Sequence, residues 1–170
     1  YWLNTYNNIR NTNIILDRLG VNYDASAGSI SLATNTLPIT EAERKQVAGE
    51  ALFIRAYHYF NLVRLYGGVF LVHKPITAEE AKTVNRSSVD DIYKLIEADL
   101  KTASTFLSSA KFSASSPRVG RANIWSAKGL LGKVYLTRNK KAEAITQLQD
   151  VISNSGYNLL PNYADVFSIT

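Results

Sequence analysis

The chain has 170 residues, 46% of them hydrophobic and 19% charged, with a net charge of +5 and neither Cys nor Met. That is enough for one well-packed domain or a piece of a larger one, and it excludes a disordered chain, a disulfide scaffold and a thiolate zinc site. No apolar run approaches the roughly 20 residues of a membrane helix, no signal peptide is visible, and a chain opening on Tyr1 rather than Met reads as a processed or trimmed product.

Helical periodicity begins at once. Leu3, Tyr6, Ile9, Asn13, Leu16 and Leu19 recur at three- and four-residue steps, predicting a helix over Tyr1 to Leu19 that Gly20 stops. The segment 21–39 lacks that period and is rich in Gly, Ser, Asn and Thr, so it reads as a long loop. Thr40 with Glu43 forms an S/T-x-x-E capping box, opening a helix that runs to about Tyr66 and ends at Gly67-Gly68. One stripe on it is Ala48, Leu52, Arg55, Tyr59, Leu62 and Tyr66, and another is Phe53, Tyr57 and Phe60. A helix apolar around so much of its circumference must be covered on more than one side, which makes it the central helix.

A second loop, 67–87, contains Pro75 and a short turn near Ala78 to Lys82. Ser87 or Ser88 then caps a helix supported by Asp90 and Asp91 at its positive end, with Val89, Ile92, Ile96, Leu100, Ala103 and Leu107 as its core face. The serine-rich stretch 108–120 reads as a third loop. A fourth helix from Arg121 carries Ile124, Ala127, Leu131, Val134 and Tyr135, with Trp125 in the core or a helix–helix seam. A tight break over Arg138 to Lys141 precedes a fifth, with Ala144, Ile145, Leu148, Val151 and Ile152, ended by Gly156. The tail from Tyr157 to Thr170 shows no closing element.

The charge excess concentrates in Arg118, Arg121, Lys128, Lys133, Arg138, Lys140 and Lys141, a stretch without any acid. Such a stretch can serve as a nucleic-acid or phosphate surface. Its interleaving with apolar residues at helical spacing, and the lack of any nucleic-acid motif, favour a solvated helix face with a basic turn. No nucleic-acid partner is expected.

The last two helices carry a more specific pattern. Gly132-x-x-Tyr135, then Ala144, Leu148 and Val151, sit at the offsets of a tetratricopeptide repeat, in which a small residue lets two antiparallel helices approach. Ala56-x-x-Tyr59 repeats the small-x-x-Tyr element, while Lys128 stands where the repeat usually has Trp. The expected fold class is therefore all-α, one domain over 1–170, with about five main helices in tetratricopeptide-like hairpins.

Chemistry-bearing constellations are sparse. The two histidines, His58 and His73, show no metal-site spacing, and His58 reads as a satisfied structural residue. There is no G-x-S-x-G, no thiol nucleophile and no P-loop. The carboxylate pairs Glu79-Glu80, Asp90-Asp91 and Glu97 with Asp99 are accounted for by capping or a solvated face. Glu50 and Arg55 read as structural, bonded to neighbouring loops. No catalytic, metal or cofactor-binding residue is expected.

The run Gly49-Glu50-Ala51-Leu52-Phe53-Ile54-Arg55-Ala56-Tyr57, continuing through Tyr59-Phe60 to Tyr66-Gly67-Gly68-Val69, resembles the central helix of the SusD-like (RagB-type) nutrient-binding proteins. Trp2, Tyr6, Ile9, Asn13 and Ile15 before it resemble that family's first helix. Arg86-Ser87-Ser88, Ile92-Tyr93, Ile96, Asp99-Leu100, Gly120-Arg121-Ala122, Ala127, Val134-Tyr135-Leu136 and Ser155-Gly156-Tyr157 with Leu159, Tyr163 and Phe167 follow in the family's order. Phe70 departs from the pattern, standing where the family usually has Pro after Gly-Gly-Val. The likeness covers the tetratricopeptide-like portion of a longer fold, whose C-terminal remainder is expected to lie outside this sequence.

The resemblance implies a non-catalytic, surface-exposed outer-membrane lipoprotein of a Gram-negative bacterium, anchored by a lipid outside this segment. Such a protein captures oligosaccharides or other nutrients for a SusC-like TonB-dependent transporter. The alternative is a generic repeat module that binds peptides or partner proteins. Sugar rings stack on Trp or Tyr beside Asn, Asp or Arg, and about 100 Å² of buried sugar face contributes roughly 2–3 kcal/mol. Even with added hydrogen bonds, affinity falls near micromolar to millimolar. Candidate ligand residues are Trp2 and Asn4 at the helix start, and Asn22, Tyr23 and Asp24 in the loop. Trp2 can equally be a packing residue, and the loop trio can equally be turn chemistry.

Overall fold

A computed structural model describes residues 1–111 and 119–167. Among them are six α-helices, a two-stranded sheet and a closing 3-10 turn. Helix α1 spans Trp2–Arg18, α2 Glu41–Tyr66, α3 Ala78–Thr83, α4 Val89–Phe106, α5 Ile124–Thr137 and α6 Lys141–Asn154. The fold is all-α in character, with five main helices packed in chain order: α1 on α2, α2 on α4, α4 on α5 and α5 on α6.

The caps follow from the sequence. Thr40 Oγ1 accepts from the Glu43 amide at 3.2 Å while the Glu43 carboxylate accepts from the Thr40 amide at 2.9 Å, closing the expected box. Thr77 and Glu80 build the same box on α3. Ser88, rather than Ser87, caps α4. Asn123 caps α5, so the helix begins at Ile124, three residues inside the expected start at Arg121.

Helix α2 is the hub. Ala48, Leu52, Ala56, Tyr59, Phe60 and Leu62 are all buried; the main core joins Ala56, Tyr59, Phe60 and Leu62 to Ile9 of α1, Ile92, Leu95, Ile96 and Leu100 of α4, and Leu131 and Val134 of α5, while Leu52 packs with Leu16, Ala103, Leu107 and Ala127 in a second cluster. The tetratricopeptide seam is real: a Cβ on Gly132 would lie 2.6 Å from Leu148 Cδ2, so only hydrogen lets α5 and α6 close. Lys128, in the place of the usual Trp, pairs with Asp150 across that seam and lies 5.4 Å above the Trp125 ring. Trp125 itself is at a half-buried edge, its Nε1 donating to the Ser109 carbonyl at 2.8 Å, rather than in the core.

The structure corrects several expectations. The segment 21–39 is not an irregular loop. It holds an antiparallel hairpin, β1 Val21–Asp24 on β2 Ser29–Leu32, with Val21 opposite Leu32 and Tyr23 opposite Ile30. Val21, Tyr23, Ile30 and Leu32 face inward and alternate with exposed Asn22, Asp24, Ser29 and Ser31. Arg44, buried on α2, anchors the base of this hairpin: Nε and Nη2 donate to the Leu19 carbonyl at 2.8 and 2.6 Å, and Nη2 also to Ala33 at 2.8 Å. A cation on the last carbonyls of α1 also suits the helix dipole.

Leu3 and Val89, expected to face the core, lie at first turns and are exposed. Ile145 and Ile152 are 65% and 72% exposed, and Ala144 is the one fully buried residue of α6, because α6 packs chiefly on α5 among the described elements. Asp99 is not on a solvated face but completely buried. His58 is not satisfied either: its Nδ1 is buried without a hydrogen-bond partner among the described residues. The expected loop 108–120 falls largely on 112–118, outside the described residues, as does Arg118.

Candidate ligand-binding site

A buried polar knot positions a groove on α1's flank. Arg55 of α2 grips Asp99 of α4 with two bonds, Nε to Oδ2 at 2.8 Å and Nη2 to Oδ1 at 2.7 Å. Its remaining nitrogen, Nη1, donates to Asn13 Oδ1 at 3.0 Å and to the His73 carbonyl at 2.9 Å. Asn13 Nδ2 in turn donates to the Val72 carbonyl at 2.8 Å. Tyr59 donates to that same carbonyl at 2.9 Å and accepts from the Val72 amide at 2.7 Å. Tyr6 donates to the Phe70 carbonyl at 2.8 Å. Side chains from two helices thus fasten the backbone of Phe70 to His73 where a third helix supplies the counter-charge.

Fastened there, the segment runs beside α1 and leaves a groove of about 570 Å³ between them. Tyr6, Asn7, Arg10 and Ile14 form the α1 wall, and Phe70, Val72, Lys74 and Pro75 the other. The volume lies within the range of small-molecule sites, and an apolar lining with a few polar ends is their usual makeup. Asn7, Arg10 and Lys74 are exposed at the rim and form no hydrogen bond or ion pair with other described residues. At one end stands an aromatic cluster. The Trp2 ring lies 4.9 Å from Tyr66, 5.1 Å from Tyr6 and 6.3 Å from Phe70, with edge-to-face geometry toward Tyr66 and Phe70. Tyr66 and Phe70 remain 42% and 37% exposed, so the cluster presents ring surface to solvent.

The sequence candidates separate into two groups. Trp2 joins the aromatic cluster, and Asn4 is exposed one turn before Asn7. Asn22, Tyr23 and Asp24 lie beyond the other end of α1, a helix about 25 Å long at 1.5 Å per residue. Asn22 Nδ2 donates to the Gly20 carbonyl at 3.2 Å. Asp24 Oδ1 accepts from the Ser26 and Ala27 amides at 2.8 and 3.0 Å, an Asx turn that shapes the hairpin. Tyr23 packs edge-on against His73 at 5.2 Å, half-buried, and burial together with the Asp99 carboxylate pushes its hydroxyl up to about 12. Asn7, Arg10, Lys74, Tyr66 and Phe70 were not among the candidates. Asn7 and Arg10, a turn apart on the helix face that carries Tyr6 and Asn13, are the sequence signal that points to them.

Four cations of the basic stretch are paired with acids from elsewhere: Arg121 with Glu50, Lys128 with Asp150, Arg138 with Asp90 and Lys140 with Glu97. Among the described residues no group of three or more His, Cys, Asp or Glu could hold a metal ion. No helix among them is long and apolar enough to cross a membrane.

His73 makes stability pH-dependent. Burial, with Arg55 and Lys74 nearby, lowers its pKa below the ordinary value of about 6.5, and burial does the same to His58. As pH falls below about 6.5 these histidines therefore take up protons in the unfolded chain before the folded one, so their contribution to stability drops from pH 7.5 to 5.5. Glu43, Glu80 and Asp150 have lowered pKa values and act only at more acid pH. Urea midpoints at the two pH values should differ, and a His58→Gln, His73→Gln double variant should show a smaller difference; an equal one would refute this origin.

The sequence model of a SusD-like family described as starch-binding and associating with the outer membrane matches residues 1–136. The chain belongs to the SusD-like family. It is 30% identical over 167 residues, 98% of its length, to SusD-like protein P25 of Formosa agariphila, and 32% identical over 142 residues to a SusD-like protein of Bacteroides ovatus. It spans 28% and 24% of those relatives' lengths. Among solved structures it superposes on a laminarin-binding SusD-like protein with a TM-score of 0.83, at 31% identity over 98% of this chain and 33% of that one. A crystal structure with a xylogluco-oligosaccharide matches with a TM-score of 0.76, at 26% identity over 98% of this chain and 31% of that one. The residues of the knot, Asn13, Arg55, Tyr59 and Asp99, are among those that carry the SusD-like resemblance in sequence.

Proposed function

We propose that this chain is the helical part of a cell-surface nutrient-binding lipoprotein that captures oligosaccharides without converting them and delivers them to a SusC-like TonB-dependent transporter in the outer membrane. The lipid anchor lies outside this segment in this reading. The observation that carries the reading is the half-exposed cluster of Trp2, Tyr6, Tyr66 and Phe70 opening onto a groove rimmed by unpaired Asn7, Arg10 and Lys74. Aromatic faces take the apolar side of a pyranose while amide and guanidinium groups bond its hydroxyls. A solved relative that binds laminarin and another holding a xylogluco-oligosaccharide support the substrate class.

Within this reading Trp2 and Asn4 contact the sugar, and Asn22, Tyr23 and Asp24 shape the hairpin. A binding screen of the full-length protein against oligosaccharides tests it. Trp2→Ala is expected to fold normally and to bind its glycan about tenfold or more weakly, since removing one stacking platform costs at least 1.4 kcal/mol on the scale of about 25 cal/mol per Å². Unchanged affinity by calorimetry would remove Trp2 from the site. The complete gene is expected to encode a lipoprotein Cys after a signal peptide, beside a barrel-transporter gene; if neither is present, a generic repeat module becomes the better reading.

A further inference from the structure

A second hollow, of about 330 Å³, lies between α4, the β1–β2 turn and the α5–α6 corner. Helix α4 contributes Asp90, Lys94, Glu97 and Lys101, spaced three and four residues apart and therefore on one face. The corner contributes Arg138 and Lys140. Four cations thus meet two carboxylates. Arg138 is paired with Asp90 and lies 4.7 Å above the Tyr93 ring. Lys140 donates to Glu97 at 2.5 Å, while Lys101 reaches the other oxygen of the same carboxylate only at 3.6 Å. Among the described residues Lys94 has no carboxylate partner; its Nζ donates to the Ala25 and Ser26 carbonyls at 2.8 and 2.7 Å. The hollow holds two positive charges more than its acids balance.

An alternating ladder of charges on a solvated helix face would be the ordinary account of the α4 residues alone. Two features depart from it. The cations converge from two separate segments, α4 and the α5–α6 corner, onto a concave surface rather than running along a convex one. The hairpin turn is also cut to admit Lys94: a Cβ on Gly28 would lie 2.6 Å from Lys94 Cε, and Gly28 sits at φ +64°, where a side chain is strained as well. The lysine therefore crosses beneath the turn with its ammonium fixed at the wall. At about 30 Å³ per water, the hollow has room for roughly ten, which suits an anionic group together with the ring that bears it.

We propose that this hollow binds the sulfate ester or uronate carboxylate of an acidic oligosaccharide and so makes the protein select charged glycans. Lys101, with 58% of its side chain exposed and the weakest of these pairings, turns from Glu97 to the ligand, while Lys94 supplies a fixed positive charge. The inference rests on the oligosaccharide-capture reading and specifies its substrate.

The test is calorimetry of the full-length protein with a panel of sulfated and uronate-bearing oligosaccharides, each beside its desulfated or carboxyl-reduced counterpart, and with sodium sulfate alone. At least one acidic member is expected to bind tenfold or more tightly than its neutral counterpart in low salt. That preference should shrink at higher ionic strength and fall at least threefold in Lys101→Gln and further in Lys94→Gln, Lys101→Gln. Lys101→Gln alone changes a side chain that is 58% exposed and whose carboxylate, Glu97, keeps Lys140 as its partner, so it keeps the test valid if the double variant does not fold. No acidic preference anywhere in the panel, a preference that survives Lys101→Gln, or sulfate binding as tightly as the sulfated sugar would each overturn the proposal. Neutral-glycan binding that depends on Trp2 but shows no acidic preference would overturn this inference alone, and no oligosaccharide binding of any kind would overturn the capture reading with it.

Discussion

Replacing Asp99 by Ala is expected to destabilise the protein by about 3–5 kcal/mol. Arg55 and Asp99 are 1% and 0% exposed, so removing the carboxylate leaves a guanidinium in the core with two of its donors unanswered. The remaining partners, Asn13 and the His73 carbonyl, are neutral and cannot replace the lost counter-charge. For a domain of this size the melting temperature should fall about 2–4 °C per kcal/mol. An Arg55→Met, Asp99→Leu double variant should recover much of the loss, because apolar residues of similar volume leave no stranded ion. Urea denaturation of the three proteins measures both effects. A loss below about 1 kcal/mol for Asp99→Ala would mean that the pair is not buried as described.

Ala56→Leu should cost about 1–3 kcal/mol by overpacking. Ala56 is fully buried on α2, in the same cluster as Ile9, Ile92 and Tyr59. A branched side chain there must push α1 or α4 away from α2, or take a strained rotamer. Ala56→Gly should be milder, near 1 kcal/mol, because it loses helix propensity and little contact. A melting temperature of Ala56→Leu equal to that of the parent would contradict the placement of this residue at the seam.

The helices were legible because their information is local. Thr40 and Glu43 announce a box that the structure closes, and the small residue at Gly132 announces a close approach that Leu148 completes. The hairpin escaped because four-residue strands give only two inward positions each, Val21 and Tyr23 against Ile30 and Leu32, and the helix period used elsewhere cannot register them. Buried ion pairs escaped for a different reason. Arg55 and Asp99 stand 44 positions apart, and a carboxylate beside Glu97 looks like one more charge on a wet face until α2 is laid against it. The outward turn of Ile145 and Ile152 is equally invisible locally, since periodicity names a helix's apolar face without saying whether anything covers it. Of the candidate site, Trp2 could be singled out as an aromatic at a helix start, but its neighbours Tyr66 and Phe70 come from the far end of another helix and the loop after it.

The backbone of Phe70 to His73 is stapled to two helices by five side-chain bonds of 2.7 to 2.9 Å, from Tyr6, Asn13, Arg55 and Tyr59. One bank of the trough is consequently set hard when the polypeptide folds, and a visiting molecule meets a mould already cast. The ordering entropy of that bank is settled before any encounter, so it does not weaken association. In the proposed capture role, selectivity there would come from fit against an unyielding surface, with adaptation left to the long rim side chains of Arg10 and Lys74.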